Sequence, residues 1–171
     1  MSTKNNLDSF RRQLSKNSGS VGLITGNFDV LHIGHINLFE FAKNKVDILV
    51  VGVDGINMAN TYRPSDWKLV NSTRDRVRIL KNISLIDYVF TITAEKYSKD
   101  LDLIHMDILN RLKPNVVFTN PFADHYFEQR KQRCDIAGIP LIEFYDLRLV
   151  SQNNLETLKQ REHLANAKGL L

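Results

Sequence analysis

Cysteine is nearly missing from this chain: of 171 residues only Cys134 carries a thiol. One thiol closes no intramolecular disulfide and completes no zinc knuckle, so a disulfide-stapled or zinc-finger fold is excluded. Cys134 reads instead as a small side chain on a helix. Four prolines and eight glycines form no low-complexity tract, and no internal repeat is visible. No apolar run reaches the ~20 residues that a bilayer-crossing helix needs; the longest lies within 48–53. The first six residues are polar and do not look like a secretory leader. A cytoplasmic location with no membrane partner is the expectation. Charge of one sign does not dominate either, since 23 Lys and Arg against 19 Asp and Glu leave a net +4. The basic residues are scattered, without a basic tail or interleaved aromatics, so no nucleic-acid partner is expected.

What is present suits a globular domain with a real core: 43% of residues are hydrophobic and 25% charged. Apolar runs at 21–25, 46–53, 88–93, 115–119 and 140–144 read as strands. Between them, helical spacing or capping chemistry marks 36–43, 72–81, 101–112 and 123–137, with a leading helix over 5–16 and a closing one over 153–167. The alternation predicts an α/β fold: a single Rossmann-like domain with a five-stranded parallel sheet and helices on both faces. The domain proper is expected over 21–171, with 1–20 as an N-terminal helix and linker. The stretch 54–70, holding Arg63-Pro64 and Trp67, reads as a long polar loop.

One run concentrates chemistry: Gly26-Asn27-Phe28-Asp29-Val30-Leu31-His32-Ile33-Gly34-His35. It sits where the first strand turns into the next helix, at the sheet edge where ligands of such folds bind. Gly26 is expected to allow a sharp turn and leave room for phosphate near the backbone. The amides of Asn27 and Phe28 can then face phosphate oxygens. His32 and His35 supply nitrogen donors to a transferred phosphoryl group, Gly34 keeps the space between them clear, and the helix adds its positive end. Phe28 is expected to pack beneath the loop and Asp29 to tie it by accepting amides. Two other readings stand beside this one. The histidines and glycines can be ordinary caps and turns, or Asp29, His32 and His35 can be metal ligands, although no clear fourth ligand is in view.

The run matches G-x-F-D-x-x-H-x-G-H at every fixed position, and so resembles the cytidylyltransferase-like branch of the HxGH nucleotidyltransferase superfamily. The likeness is greatest to the adenylyltransferase domain that makes ADP-heptose, then to glycerol-3-phosphate cytidylyltransferases. Arg63-Pro64, Val70-Asn71 and Arg76 look like that domain's Arg-Pro-Val-Asn…Arg stretch with five residues inserted. The resemblance implies a nucleotidyltransferase that joins an NTP, ATP before CTP, to a phosphorylated sugar or polyol and releases pyrophosphate. Magnesium would bridge phosphate oxygens, no metal would be held by the protein itself, and family habit adds a homodimer. It also implies nucleotide contacts from Arg148 and Ser151, and acceptor contacts from Asp54, Arg63 and Arg76. The physics agrees. A phosphate monoester, with a second pKa near ~6, is already an ionised nucleophile at neutral pH. Positioning and charge neutralisation are all that an in-line displacement still requires.

Two departures keep other functions open. Thr119-Asn120-Pro121-Phe122 stands where the family has a glycine-rich turn, and 148–153 replaces its Ser-Thr-Thr. A nucleotide-binding regulatory module without turnover is therefore a second reading, and a metal-dependent hydrolase built on Asp29, His32 and His35 a third. The remaining histidines, His105, His125 and His163, read as surface residues.

Overall fold

The computed structural model describes residues 3–14, 19–61, 69–93 and 100–146. Five strands run in one sheet: β1 (Val21–Gly26), β2 (Ile48–Asp54), β3 (Tyr88–Ile92), β4 (Val116–Thr119) and β5 (Leu141–Glu143), in the order β3-β2-β1-β4-β5. Every pairing is parallel. The chain steps outward from β1 to β2 and β3, then returns to β1's other side for β4 and β5. The order reverses beside β1, which leaves a crevice between the carboxyl ends of β1 and β4.

Six helices are described: α1 (Thr3–Leu14), α2 (Ile33–Lys43), α3 (Ile56–Thr61), α4 (Thr73–Leu80), α5 (Leu101–Leu112) and α6 (Phe127–Ala137). Two apolar layers sandwich the sheet, and the pleat sorts residues between them. Leu23, Val50, Phe90 and Val117 join Leu7, Phe10, Leu14 and Leu109 on one face. Ile24, Val51, Val89 and Phe118 join Leu38, Phe39 and Leu80 on the other. Both faces are covered, which is why the strands read as nearly unbroken apolar runs. α1 belongs to this core: Leu7 is 1% exposed, and Phe10 stacks on Tyr88 with ring centres 3.6 Å apart.

Local chemistry explains the boundaries. Ser72 caps α4, its hydroxyl accepting the Asp75 amide at 3.2 Å and donating to the Asp75 carboxylate at 2.6 Å. α5 stops at Lys113, held left-handed at φ 48° ahead of Pro114. Gly138, at φ 65°, ends α6. Cys134 is buried on α6. Three expectations shift. The stretch 54–70 is not wholly loop, since α3 occupies Ile56–Thr61 and buries Met58 and Ala59; six polar-looking residues are too few to show a period. α2 begins three residues early, at Ile33 inside the motif, and α6 four residues late. The closing helix expected over 153–167 lies outside the described residues.

Candidate active site

The turn after β1 is built differently from the expectation for Gly26. Gly26 is not in the left-handed region; Phe28 is, at φ 52°. The Phe28 ring folds back, 6% exposed, and a Cβ on Gly26 would lie 3.2 Å from it. Glycine here eases the close approach of the ring, which a Cβ would crowd. That ring then meets His35 edge-on at 5.7 Å and Phe39 at 5.7 Å, which roots the loop in the core beneath α2.

The two imidazoles cap the helix they introduce. His32 is the N-cap of α2, and its Nδ1 accepts the Gly34 amide at 3.2 Å. His35, three residues on, accepts the His32 amide through its own Nδ1 at 3.4 Å. This is a capping box made of histidines. With both Nδ1 atoms accepting, each neutral ring carries its proton on Nε2. The ring centres are 4.2 Å apart. Burial lowers the pKa of His32, with Asp146 pulling the other way, and burial with His32 nearby lowers that of His35 to about 4. Two neutral Nε2–H donors at the positive end of a helix form an anion-binding arrangement.

Asp29 does accept amides, from residues 41 and 42 positions away: Val70 and Asn71, both at 2.8 Å. Asn71 returns a bond to the Asp29 carbonyl at 2.5 Å. Both carboxylate oxygens are thereby engaged, which turns Asp29 from a metal-ligand candidate into a staple joining the motif to the start of α4. Arg76, expected at the acceptor, is 0% exposed. Its Nη1 donates to the Asn27 carbonyl at 2.6 Å, the Asn27 side chain at 2.9 Å and the Asp54 carbonyl at 2.8 Å, and its Nη2 donates to Thr73 at 2.9 Å. It is a strut between the motif and the carboxyl end of β2. Asp54 lies at that strand end, 6% exposed. Arg74 and Arg78, flanking Arg76 on α4, are exposed. Arg63, Arg148, Ser151 and Trp67 lie outside the described residues.

The structure adds residues that sequence reasoning missed. Asn37 on α2 donates to Asp146 Oδ2 at 2.9 Å. Asn120, at the end of β4, donates to the Asp146 carbonyl at 2.7 Å, and its side-chain oxygen accepts the amides of Phe122 and Ala123. On the sheet's other face Arg130 pairs with Asp124 at 2.5 Å and donates to Thr25 at 2.6 Å. Burial raises the Asp124 pKa, yet the charge and hydrogen bond of Arg130 carry it below the ordinary value. His105 is no surface residue: burial first, then Arg130 and Arg133, lower its pKa to about 3. Asn120 is signalled by its place in the atypical turn. Asn37 and Asp146, 109 positions apart, carry no sequence signal.

Comparison with known proteins gives the same picture. The cytidylyltransferase-like family profile matches residues 23–144. A bifunctional protein HldE from Desulfatibacillum aliphaticivorans is 31% identical over 124 residues, covering 71% of this chain and 24% of the relative. An FAD synthase from Thermococcus kodakarensis is 31% identical over 117 residues, covering 67% of this chain and 69% of the relative. The chain thus matches about a quarter of the length of the HldE protein. Among solved structures, a lipopolysaccharide core biosynthesis protein from Thermoplasma volcanium superposes with a TM-score of 0.60 at 19% identity, over 75% of this chain and 100% of that one. A pantothenate synthetase from Thermus thermophilus superposes at 0.61 with 16% identity, over 94% of this chain and 71% of that one. These two share the fold.

Proposed function

The chain belongs to the cytidylyltransferase-like family, and on that premise we propose that it transfers a nucleotidyl group from a nucleoside triphosphate to a phosphorylated small-molecule acceptor, with release of pyrophosphate. The observation that carries the reading is the histidine capping box. With both Nδ1 atoms accepting backbone amides, the Nε2–H of each neutral ring is left as the donor that this reading assigns to the phosphates. Neutral donors suit this chemistry. Each Nε2–H can donate a hydrogen bond to charge growing on the transferred group and on leaving pyrophosphate. The acceptor's phosphate needs no general base. Attack on the α-phosphorus opposite the pyrophosphate oxygen forms one P–O bond as the other breaks, and the helix end holds the reacting groups in line.

ATP is the favoured donor, supported by FAD synthases among the relatives, whose product carries an adenine nucleotide. CTP is the alternative. The acceptor is a phosphate monoester, with sugar and polyol phosphates the leading class. Magnesium fits as the partner of the triphosphate. Among the described residues no group of three His, Cys, Asp or Glu side chains is placed to hold a metal. The ion would ride on substrate oxygens and water, its usual habit with nucleotides. Asp54 at the end of β2 faces the acceptor in this reading, while Arg76 serves it indirectly, by fixing Asn27. A homodimer belongs to the proposal, to be checked by sedimentation.

The test is incubation with ATP or CTP, magnesium and a panel of sugar, polyol and flavin phosphates, with pyrophosphate as readout. One acceptor is expected to give multiple turnovers, and His32→Ala to slow them about 100- to 1,000-fold. Nucleotide binding without pyrophosphate release from any acceptor would mean a binding module. No release, together with unchanged nucleotide affinity in His32→Ala, overturns the reading.

A further inference from the structure

We propose that Asp146 is a positioning residue for the histidine pair: it pins α2, and with it both imidazoles, to the far side of the crevice. The site has two banks. β1 and α2 carry the motif on one, and β4 and β5 form the other. Asp146 lies just past β5, 7% exposed. Its Oδ2 takes the Asn37 amide at 2.9 Å, five residues after the His32 cap and on the same helix. Its carbonyl takes the Asn120 amide at 2.7 Å, and Asn120 is 3% exposed at the end of β4. One residue therefore links α2, β4 and the strand that follows, across the gap a nucleotide must enter.

The link also carries charge. Burial lowers the His32 pKa and the Asp146 charge raises it; the His35 ring centre lies 4.2 Å from that of His32. Asp146 thus offsets part of the lowering that burial imposes on the His32 pKa. A buried carboxylate facing an anion site looks unfavourable by itself. Its side chain accepts from Asn37, and its charge raises the His32 pKa against burial.

This rests on the nucleotide-binding reading, so the experiment has one arm without nucleotide. In that arm, the imidazole signals of His32 and His35 are followed by NMR against pH in wild type and Asp146→Asn. The variant still accepts from Asn37 but lacks the charge. His32 is expected to titrate at a lower pH in Asp146→Asn, with His35 little moved. In the second arm, ATP binding is measured by calorimetry for Asp146→Ala, Asn37→Leu and their combination. Asn37→Leu is expected to weaken ATP about tenfold, Asp146→Ala by at least as much because it also removes the charge near His32, and the double variant to be no worse than Asp146→Ala, because the shared contact is lost only once. An unchanged His32 titration, or single losses that multiply in the double variant, overturns the proposal. Should Asp146→Ala not fold, Asn37→Leu and Asp146→Asn carry both arms. Wild type that binds neither ATP nor CTP sinks the nucleotide reading, and the His32 titration still decides whether Asp146 acts on the pair.

Discussion

At the scale of single residues, the same side chains serve fold and site at once. His32 and His35 cap α2 through Nδ1, which leaves Nε2 of each neutral ring as its donor. Replacing either by alanine is expected to cut pyrophosphate release about 100- to 1,000-fold, the usual cost of one preorganised donor. Replacing His32 by asparagine, which can still cap, should spare stability and not rate. Protonation reads the pair another way. The folded-state pKa of His35 is lowered to about 4 from 6.5, so the unfolded chain binds the extra proton first. Stability is then fully present above about 6.5 and declines as pH falls toward 4. The lowered pKa of His105 adds in the same direction. Urea midpoints against pH should show this slope, and His35→Gln should flatten it. Arg76→Met leaves the carbonyls of Asn27 and Asp54 without their buried donor. It should cost about 3 kcal/mol in urea denaturation and loosen the motif. A wild-type midpoint would reject the strut.

At the scale of elements, what was legible followed local signals. α5 is found over Leu101–Leu112 as expected, because an apolar period and a proline bracket it. Ser72 announces α4 by capping chemistry that works within four residues. α3 carries no such mark: its Met58 is buried in the apolar cluster with Phe90 and Ile92 of β3, residues distant from it in sequence. α1 reads in the sequence as a helix and linker ahead of the domain, because its own twelve residues do not reveal what they cover. Its face packs on α5 and β3, with Phe10 on Tyr88 and Asp8 paired to Arg111. Phe10→Ala is expected to cost about 3–5 kcal/mol, measured by urea denaturation. A helix that merely precedes the domain would give no change.

At the scale of the whole molecule, both apolar layers grip one sheet, so unfolding is expected as a single cooperative transition, coincident by circular dichroism and tyrosine fluorescence. If the crevice takes nucleotide, ATP at about 100 times its Kd should add about 2.7 kcal/mol to stability, and His32→Ala should lose most of that gain. The sequence by itself determined the parallel sheet, the coverage of both faces, the placing of the histidine motif at a strand's carboxyl end, and the family. Those depend on periods, caps and a ten-residue run, all short-range information. Only the tertiary structure decided that Arg76 is a strut, that Asp29 staples a segment 41 residues away, and that Asn37, Asn120 and Asp146 meet. A charged side chain's role depends on whether water or protein surrounds it, and that is settled only when distant segments close over it.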